Sequence, residues 1–270
     1  MHRLPNPTLG RRALIRNGAL TISLGALTAA CGSGRSGSQD PGRLGVAAPA
    51  PDLADDEVDD LTLMRTAQSL EYTALDVYAA AADADALSSD EMALVQRFVD
   101  DHRRHADAVG ALVVRLGGQP FECANPFLVD RAVTPILGAI DGSDDLRLDL
   151  LNIAYAFEQL AGASYQALVA MLANKPLRVS AMEIGSEEQR HAAALAAAIN
   201  PDTYISPAIA GAPEDADERG ITLRYALPSV FGQVSGIDLT VGAVGGEGGR
   251  FTTQLQTPAA NSLVYSDASC

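Results

Sequence analysis

Along residues 53–83, LADDEVDDLTLMRTAQSLEYTALDVYAAAAD, apolar side chains return every third or fourth position, with no Gly and no Pro. That period lines one face of an α-helix, and the acids gathered at its start suit the positive end of the helix dipole. A second helix is predicted from the capping-type stretch Ser88-Ser89-Asp90-Glu91 to the stop at Gly117-Gly118. A third runs from about 142–145 to Asn174, and a fourth from Pro176, a good first-turn residue, to Asn200-Pro201. The links within each helix pair are short. Residues 118–141 form a long connection with Pro120, Pro126 and Pro135. Two antiparallel hairpins joined by a long crossover make one kind of four-helix bundle.

The pattern changes on either side of 57–200. Downstream, ITLRYALPSVF, GIDLTVGAV and GRFTTQLQT are short, β-branched and partly alternating, with Gly and Pro between them. They predict three or four strands in a small β-rich extension, 201–270, packed on the bundle. GAVGGEGGR lacks the Gly-Lys-Ser/Thr ending of a phosphate loop and reads as a turn. Upstream, 31–56 is a Gly/Ser/Pro/Ala-rich tether. Residues 1–30 read as an export signal, with Arg11-Arg12 before an apolar run, 19–30, too short to span a bilayer. Arg11-Arg12 resembles a twin-arginine signal, and LTAAC resembles a lipobox that would attach lipid to Cys31. The expected location is the outer face of the cell membrane, or a secreted or periplasmic state if Cys31 is not lipidated.

Export sets the redox context of the remaining cysteines, Cys123 and Cys270. An even pair outside the cytosol is expected to form a disulfide. Formal charge is −15, and −19 without Arg3, Arg11, Arg12 and Arg16. An acidic body of that size argues against nucleic acid and anionic lipid head groups as partners, and it suits cations. Only 5% of residues are aromatic and Trp is absent, which favours closely packed Ala-rich helices.

The candidate chemistry lies in a repeat of about 86 residues. SLEYTALDVY…DHRRHADAV returns as AFEQLAGASY…EEQRHAAAL. Glu71 is followed by Tyr78, His102 and His105; Glu158 is followed by Tyr165, Glu188 and His191. Residues three apart share a helix face, so each hairpin sets a Glu on one helix against a pair on the other. Two such hairpins packed together bring all six groups to one interior site. Three carboxylates buried among Ala, Leu and Val are costly unless something neutralises them, and divalent cations would do so. His2 lies in the export signal, and the other three histidines all occupy repeat positions. No Ser-His-Asp or Cys-His arrangement remains. Asp76, Asp83 and Asp85 read as solvated.

These residues resemble the ferritin-like superfamily of di-iron and di-manganese carboxylate bundles, in which two helices give a Glu each and two give Glu-x-x-His. The resemblance covers about 57–200 and is similar above all to exported ferritin-like proteins of bacteria. It implies that Glu71 and Glu158 are the single glutamates, His105 and His191 the terminal histidines, and Glu188 a bridging carboxylate. His102 stands where the first motif should have its Glu. Asp101 is adjacent but points ~100° away around the helix. DDHRRHAD also fits an exposed charged face, so His102 is either a ligand or a solvated residue. Tyr78 and Tyr165 either hydrogen-bond to the ligands or fill the core.

The family implies one or two ions of iron, or else manganese, and redox chemistry of the ferroxidase or peroxide- and oxygen-handling kind. Which reaction, and which residues are catalytic, the sequence leaves open. The rival is a metal-free bundle serving as a structural or interaction protein of the cell envelope. A cage-forming iron store is disfavoured by the tether and the C-terminal extension.

Overall fold

Each long helix begins where a polar side chain takes up the free N–H groups of the first turn. Asp59 accepts from the Thr62 amide at 2.8 Å and starts α1, Asp60–Asp83. Ser88 and Glu91 form a reciprocal capping box at the start of α2, Ser89–Arg115. Asp145 accepts from the Leu148 amide at 3.0 Å and opens α3, Leu146–Met171. Pro176 occupies the first turn of α4, Lys175–Ile199. Helix α2 ends as its sequence implies, with Gly117 at φ +83°, a conformation that disfavours side chains with a Cβ. These observations come from a computed structural model describing residues 58–200, 219–223, 237–246, 248–255 and 262–270. The export signal, tether and Cys31 lie outside those residues.

α1 pairs with α2, α3 pairs with α4, and the hairpins pack with α1 against α3. The α3–α4 contact is close because Gly185 leaves space. A Cβ there would lie 2.8 Å from the Tyr165 Cβ. Two apolar clusters lie at either end of the bundle. One is built around Leu63, Met64, Val109, Val113, Leu168 and Leu177. The other, around Val77, Phe98, Leu151, Ile153 and Leu195, runs on into the sheet. Between them lies the polar repeat. Among the described residues no helix is long and apolar enough to cross a membrane.

The crossover contains more structure than its prolines suggest. Asn125 caps a helical stretch from Pro126 to Ala139, with one wide π-turn at Val129–Val133 just before Pro135. Pro135 has no N–H to give, and a widened turn is a common way for a helix to absorb such a gap. The extension forms a three-stranded antiparallel sheet among the described residues, in the order β1 (Gly220–Leu223), β2 (Ile237–Val241), β3 (Phe251–Leu255). Ile237, Leu239, Val241 and Leu255 join the cluster formed by α3 and the crossover. The turn after β2 passes very close to the crossover. Gly242, at φ +87°, gives its N–H to Asp149, and a Cβ there would meet the Ala139 carbonyl oxygen at 2.3 Å.

The chain then returns to α1. Asn125, fully buried, donates to the Ser262 carbonyl at 2.9 Å, and the Val264 amide donates to Thr66 Oγ1 at 2.8 Å. Arg65, only 3% exposed, gives one guanidinium nitrogen to the Tyr265 carbonyl and the other to Ala268, both at 2.5 Å. Cys270 is disulfide-bonded to Cys123 across 147 residues of sequence. The pairing expected from the cysteine count is present.

The hairpins are also tied at one end by Glu91, which caps α2 and accepts from Arg147 of α3. Burial raises the Glu91 carboxyl, but Arg147 and Ser88 outweigh it and hold the group below its ordinary range. A depressed folded value stabilises above the unfolded value near ~4.3 and loses its effect as pH falls through the folded one. Glu91→Gln should therefore lower stability by about 1–2 kcal/mol at pH 7. In urea unfolding, the gap between variant and parent should close as pH is taken well below 4. A gap independent of pH would show that the Glu91 charge contributes nothing.

Candidate metal centre

The six repeat residues meet in the middle of the bundle. Glu71 on α1, His102 and His105 on α2, Glu158 on α3, and Glu188 and His191 on α4 are all buried. They fall into two overlapping groups, Glu71–His102–His105–Glu188 and His102–Glu158–Glu188–His191. Within each group the candidate ligand atoms lie within 4.8 Å of one another. His102 and Glu188 belong to both. Such a pair of half-sites follows from a duplicated hairpin folded on itself.

His102 is wholly buried, so the solvated reading is wrong for it. Its Nδ1 lies 2.8 Å from Glu71 Oε2, and its Nε2 lies 3.0 Å from Glu158 Oε1, spanning the two hairpins. On the other side, Glu188 Oε1 lies 2.8 Å from His105 Nδ1, and Oε2 lies 3.1 Å from His191 Nδ1. The tyrosines cross over: Tyr78 of the first hairpin donates to Glu158, and Tyr165 of the second donates to Glu71. Each holds an oxygen of the opposite hairpin's glutamate. Asp76, Asp83 and Asp85 are exposed, as the sequence indicated.

Two acids were not assigned this role from sequence. Asp101 cannot replace the carboxylate absent at position 102. Its direction carries it to the α4 side, where Oδ2 meets His191 Nε2 at 3.1 Å. Glu187 is its counterpart and meets His105 Nε2 at 2.9 Å. With the outer nitrogens so engaged, both histidines turn Nδ1 toward the interior, the arrangement in which a carboxylate orients a metal-binding imidazole. The signal was available, since each lies immediately before its motif, in Asp101-His102 and Glu187-Glu188. Asp101, Glu187 and His191 also cluster among themselves, but Arg104 pairs with Asp101, and Arg190 lies 3.5 Å from Glu187. Those arginines supply the countercharge.

The electrostatics set Glu188 apart. Burial raises Glu71, yet the hydrogen bond from His102 and the nearby His105 imidazole bring it down to about 2. Burial likewise raises Glu158, but the charge and hydrogen bond of His102, together with His191, hold it low. Glu188 moves the other way, raised first by burial and then by the negative charge of Glu71. His105 and His191 are lowered by burial but raised more by their carboxylates, to about 10 and about 9. His102 is also raised, burial being outweighed by Glu158 and Glu188.

The chemistry of the donors fits a cation. His105 Nδ1 and Glu188 Oε1 are 2.8 Å apart, yet neither makes a hydrogen bond of proper geometry, and Glu158 Oε2 also lacks a partner. Three buried polar atoms without an aligned hydrogen bond in one pocket are uncommon, because leaving such an atom unsatisfied costs roughly 1–3 kcal/mol. Imidazole nitrogens with carboxylate oxygens suit divalent transition metals. A groove of about 470 Å³, lined by Arg104, His105, Ala108, Ile184, Glu187 and Arg190, leads from the α2–α4 surface to His105.

No curated protein and no solved structure matches the chain significantly. The family model for the ferritin-like domain matches residues 59–201, more than half the chain and the span of the four helices and their buried centre, and the chain belongs to that family.

Proposed function

We propose that this chain is an exported metal-binding protein of the cell envelope, anchored by lipid on Cys31, that holds iron, or else manganese, in the core of its bundle. The observation that carries the reading is the meeting of three carboxylates and three imidazoles from four helices in one buried pocket, with His105 Nδ1, Glu158 Oε2 and Glu188 Oε1 making no aligned hydrogen bond. Glu71, Glu158, Glu188, His102, His105 and His191 would hold the metal. Bound iron or manganese supplies electron transfer to or from oxygen or peroxide, the class of reaction the family resemblance implies.

The chain's own contributions follow from the geometry. Asp101 and Glu187 fix the tautomers of His191 and His105. Tyr165 and Tyr78 restrain Glu71 and Glu158 through hydroxyl hydrogen bonds. Phe98 stacks near His191, with ring centres 4.2 Å apart, and keeps water from that side. Export is supported by the leader-like residues 1–30 and by the Cys123–Cys270 disulfide, a bond that persists in oxidising compartments.

One observation favours a rival. Both nitrogens of His102 already have carboxylate partners, so much of the pocket satisfies itself, as a metal-free structural bundle would require. Metal content decides between them. Protein purified without chelator, reloaded anaerobically with Fe(II) or Mn(II) and dialysed, should retain at least one equivalent by elemental analysis. Retention of a few per cent of an equivalent, with no change in thermal stability, would favour the scaffold.

A further inference from the structure

The two halves of the centre differ in what they leave unfilled, and His102 stands at the boundary. A bridging carboxylate offers each of two cations an oxygen lone pair. A neutral imidazole has one lone pair and one N–H. His102 directs Nδ1 into the half-site of Glu71 and His105, and Nε2 toward Glu158 in the other. Whichever nitrogen keeps its proton presents an N–H to its half-site and repels a cation there. Both halves cannot draw on His102 at once.

The hydrogen bonds select the half. Around Glu158, the network is nearly closed: Oε1 accepts from Tyr78 and lies 3.0 Å from His102 Nε2, and His191 Nδ1 is hydrogen-bonded to Glu188 Oε2. Only Glu158 Oε2 is left over, 3.4 Å from His191 Nδ1. Around Glu71, both carboxylate oxygens are engaged, Oε1 by Tyr165 and Oε2 by His102 Nδ1, while His105 Nδ1 and Glu188 Oε1, both buried, face each other as an ion pair at 2.8 Å without an aligned hydrogen bond. Glu71 Oε2 and His102 Nδ1 complete a set of two nitrogens and two oxygens.

We propose that this chain holds a single divalent ion, in the half-site of Glu71, His102, His105 and Glu188, and that the Nε2–H of His102, hydrogen-bonded to Glu158, takes the place of a second ion. His102 is thus the residue that sets the stoichiometry of the centre. To hold the ion, His102 and His105 both present Nδ1 without its proton, while the outer Nε2–H of each stays hydrogen-bonded, to Glu158 and to Glu187. Two nitrogens and two oxygens suit borderline ions such as Fe(II), Co(II) and Zn(II). The inference rests on the metal-binding reading above.

Co(II) is the probe, because its visible spectrum reports the donor set independently of any activity. Equilibrium dialysis of the full chain should give one equivalent of Co(II), and His102→Glu, which restores a bridging carboxylate, should give two. Glu71→Gln should weaken binding by well over ~100-fold, and Glu158→Gln only by the ~10–100-fold that loss of an outer hydrogen-bond partner costs. Both are near-isosteric, so folding is expected to survive. Two tight equivalents in the parent chain would overturn the single-ion centre while leaving metal binding intact. Equal losses in the two Gln variants would overturn the choice of half-site. No bound Co(II), Fe(II) or Mn(II) would overturn both this inference and the reading beneath it.

Discussion

Replacing Glu188 with Ala is expected to abolish metal retention, because Glu188 is the one carboxylate that reaches both half-sites. Its Oε1 faces His105 and its Oε2 faces His191, so no position of the ion escapes its loss. A ligand that binds only the folded state stabilises it by about 2.7 kcal/mol at one hundred times its dissociation constant. For a domain of this size that is on the order of 5–10 °C in Tm. Parent protein should show that rise on adding Fe(II) or Co(II), and Glu188→Ala should show none. The variant also removes a buried carboxyl whose charge is opposed by burial and by Glu71, and this offsets part of the cavity left behind. The variant without metal should therefore remain folded by circular dichroism. A metal-dependent rise in Tm that survives in both Glu188→Ala and Glu188→Gln would refute the central placement of this residue.

The helices, the long crossover and the convergence of the six repeat residues were legible because each rests on periodicity. Apolar spacing of three and four gives the helices, and the repeat between Glu71-to-His105 and Glu158-to-His191 places the hairpins face to face. What the sequence left open turns on direction. Whether His102 faced water or the core depended on how α2 is rotated, and DDHRRHAD carries charge on most sides. The crossed hydrogen bonds of Tyr78 and Tyr165 needed the interhairpin packing to be known, since each reaches a residue at least 80 positions away. Asp101 and Glu187 sit visibly beside the motif, but which histidine each meets depends on the opposite hairpin, so adjacency alone did not assign their partners. The helical crossover was obscured by its prolines, and the burial of Arg65 under the C-terminal segment has no local signature at all.

That last contact leads to the second large effect, which needs no metal. Cys270→Ser, or reduction of the parent, is expected to cost about 2–5 kcal/mol of unfolding free energy, toward the upper end because the bond closes a loop of 147 residues. Part of the cost is chain entropy returned to the unfolded state. Part is local, because the disulfide holds down the segment whose carbonyls satisfy Arg65. Burial already lowers the Arg65 guanidinium from its ordinary value, with Asp267 opposing that effect. If residues 262–270 lift away, the buried guanidinium loses the Tyr265 and Ala268 carbonyls, and Thr66 loses the Val264 amide. Leu263 also leaves the cavity it shares with Thr66, Leu70, Ser164 and Leu168, which opens the α1–α3 seam one residue from Glu71. The expected signature is a lower urea midpoint, together with faster amide exchange over residues 62–71 than over α4. Cys123→Ser should match Cys270→Ser, since both break one bond, and the double variant should be no worse than either. A loss below about 1 kcal/mol, or exchange that rises evenly across all four helices, would mean that Arg65 and Asn125 hold the segment in place without the covalent tie.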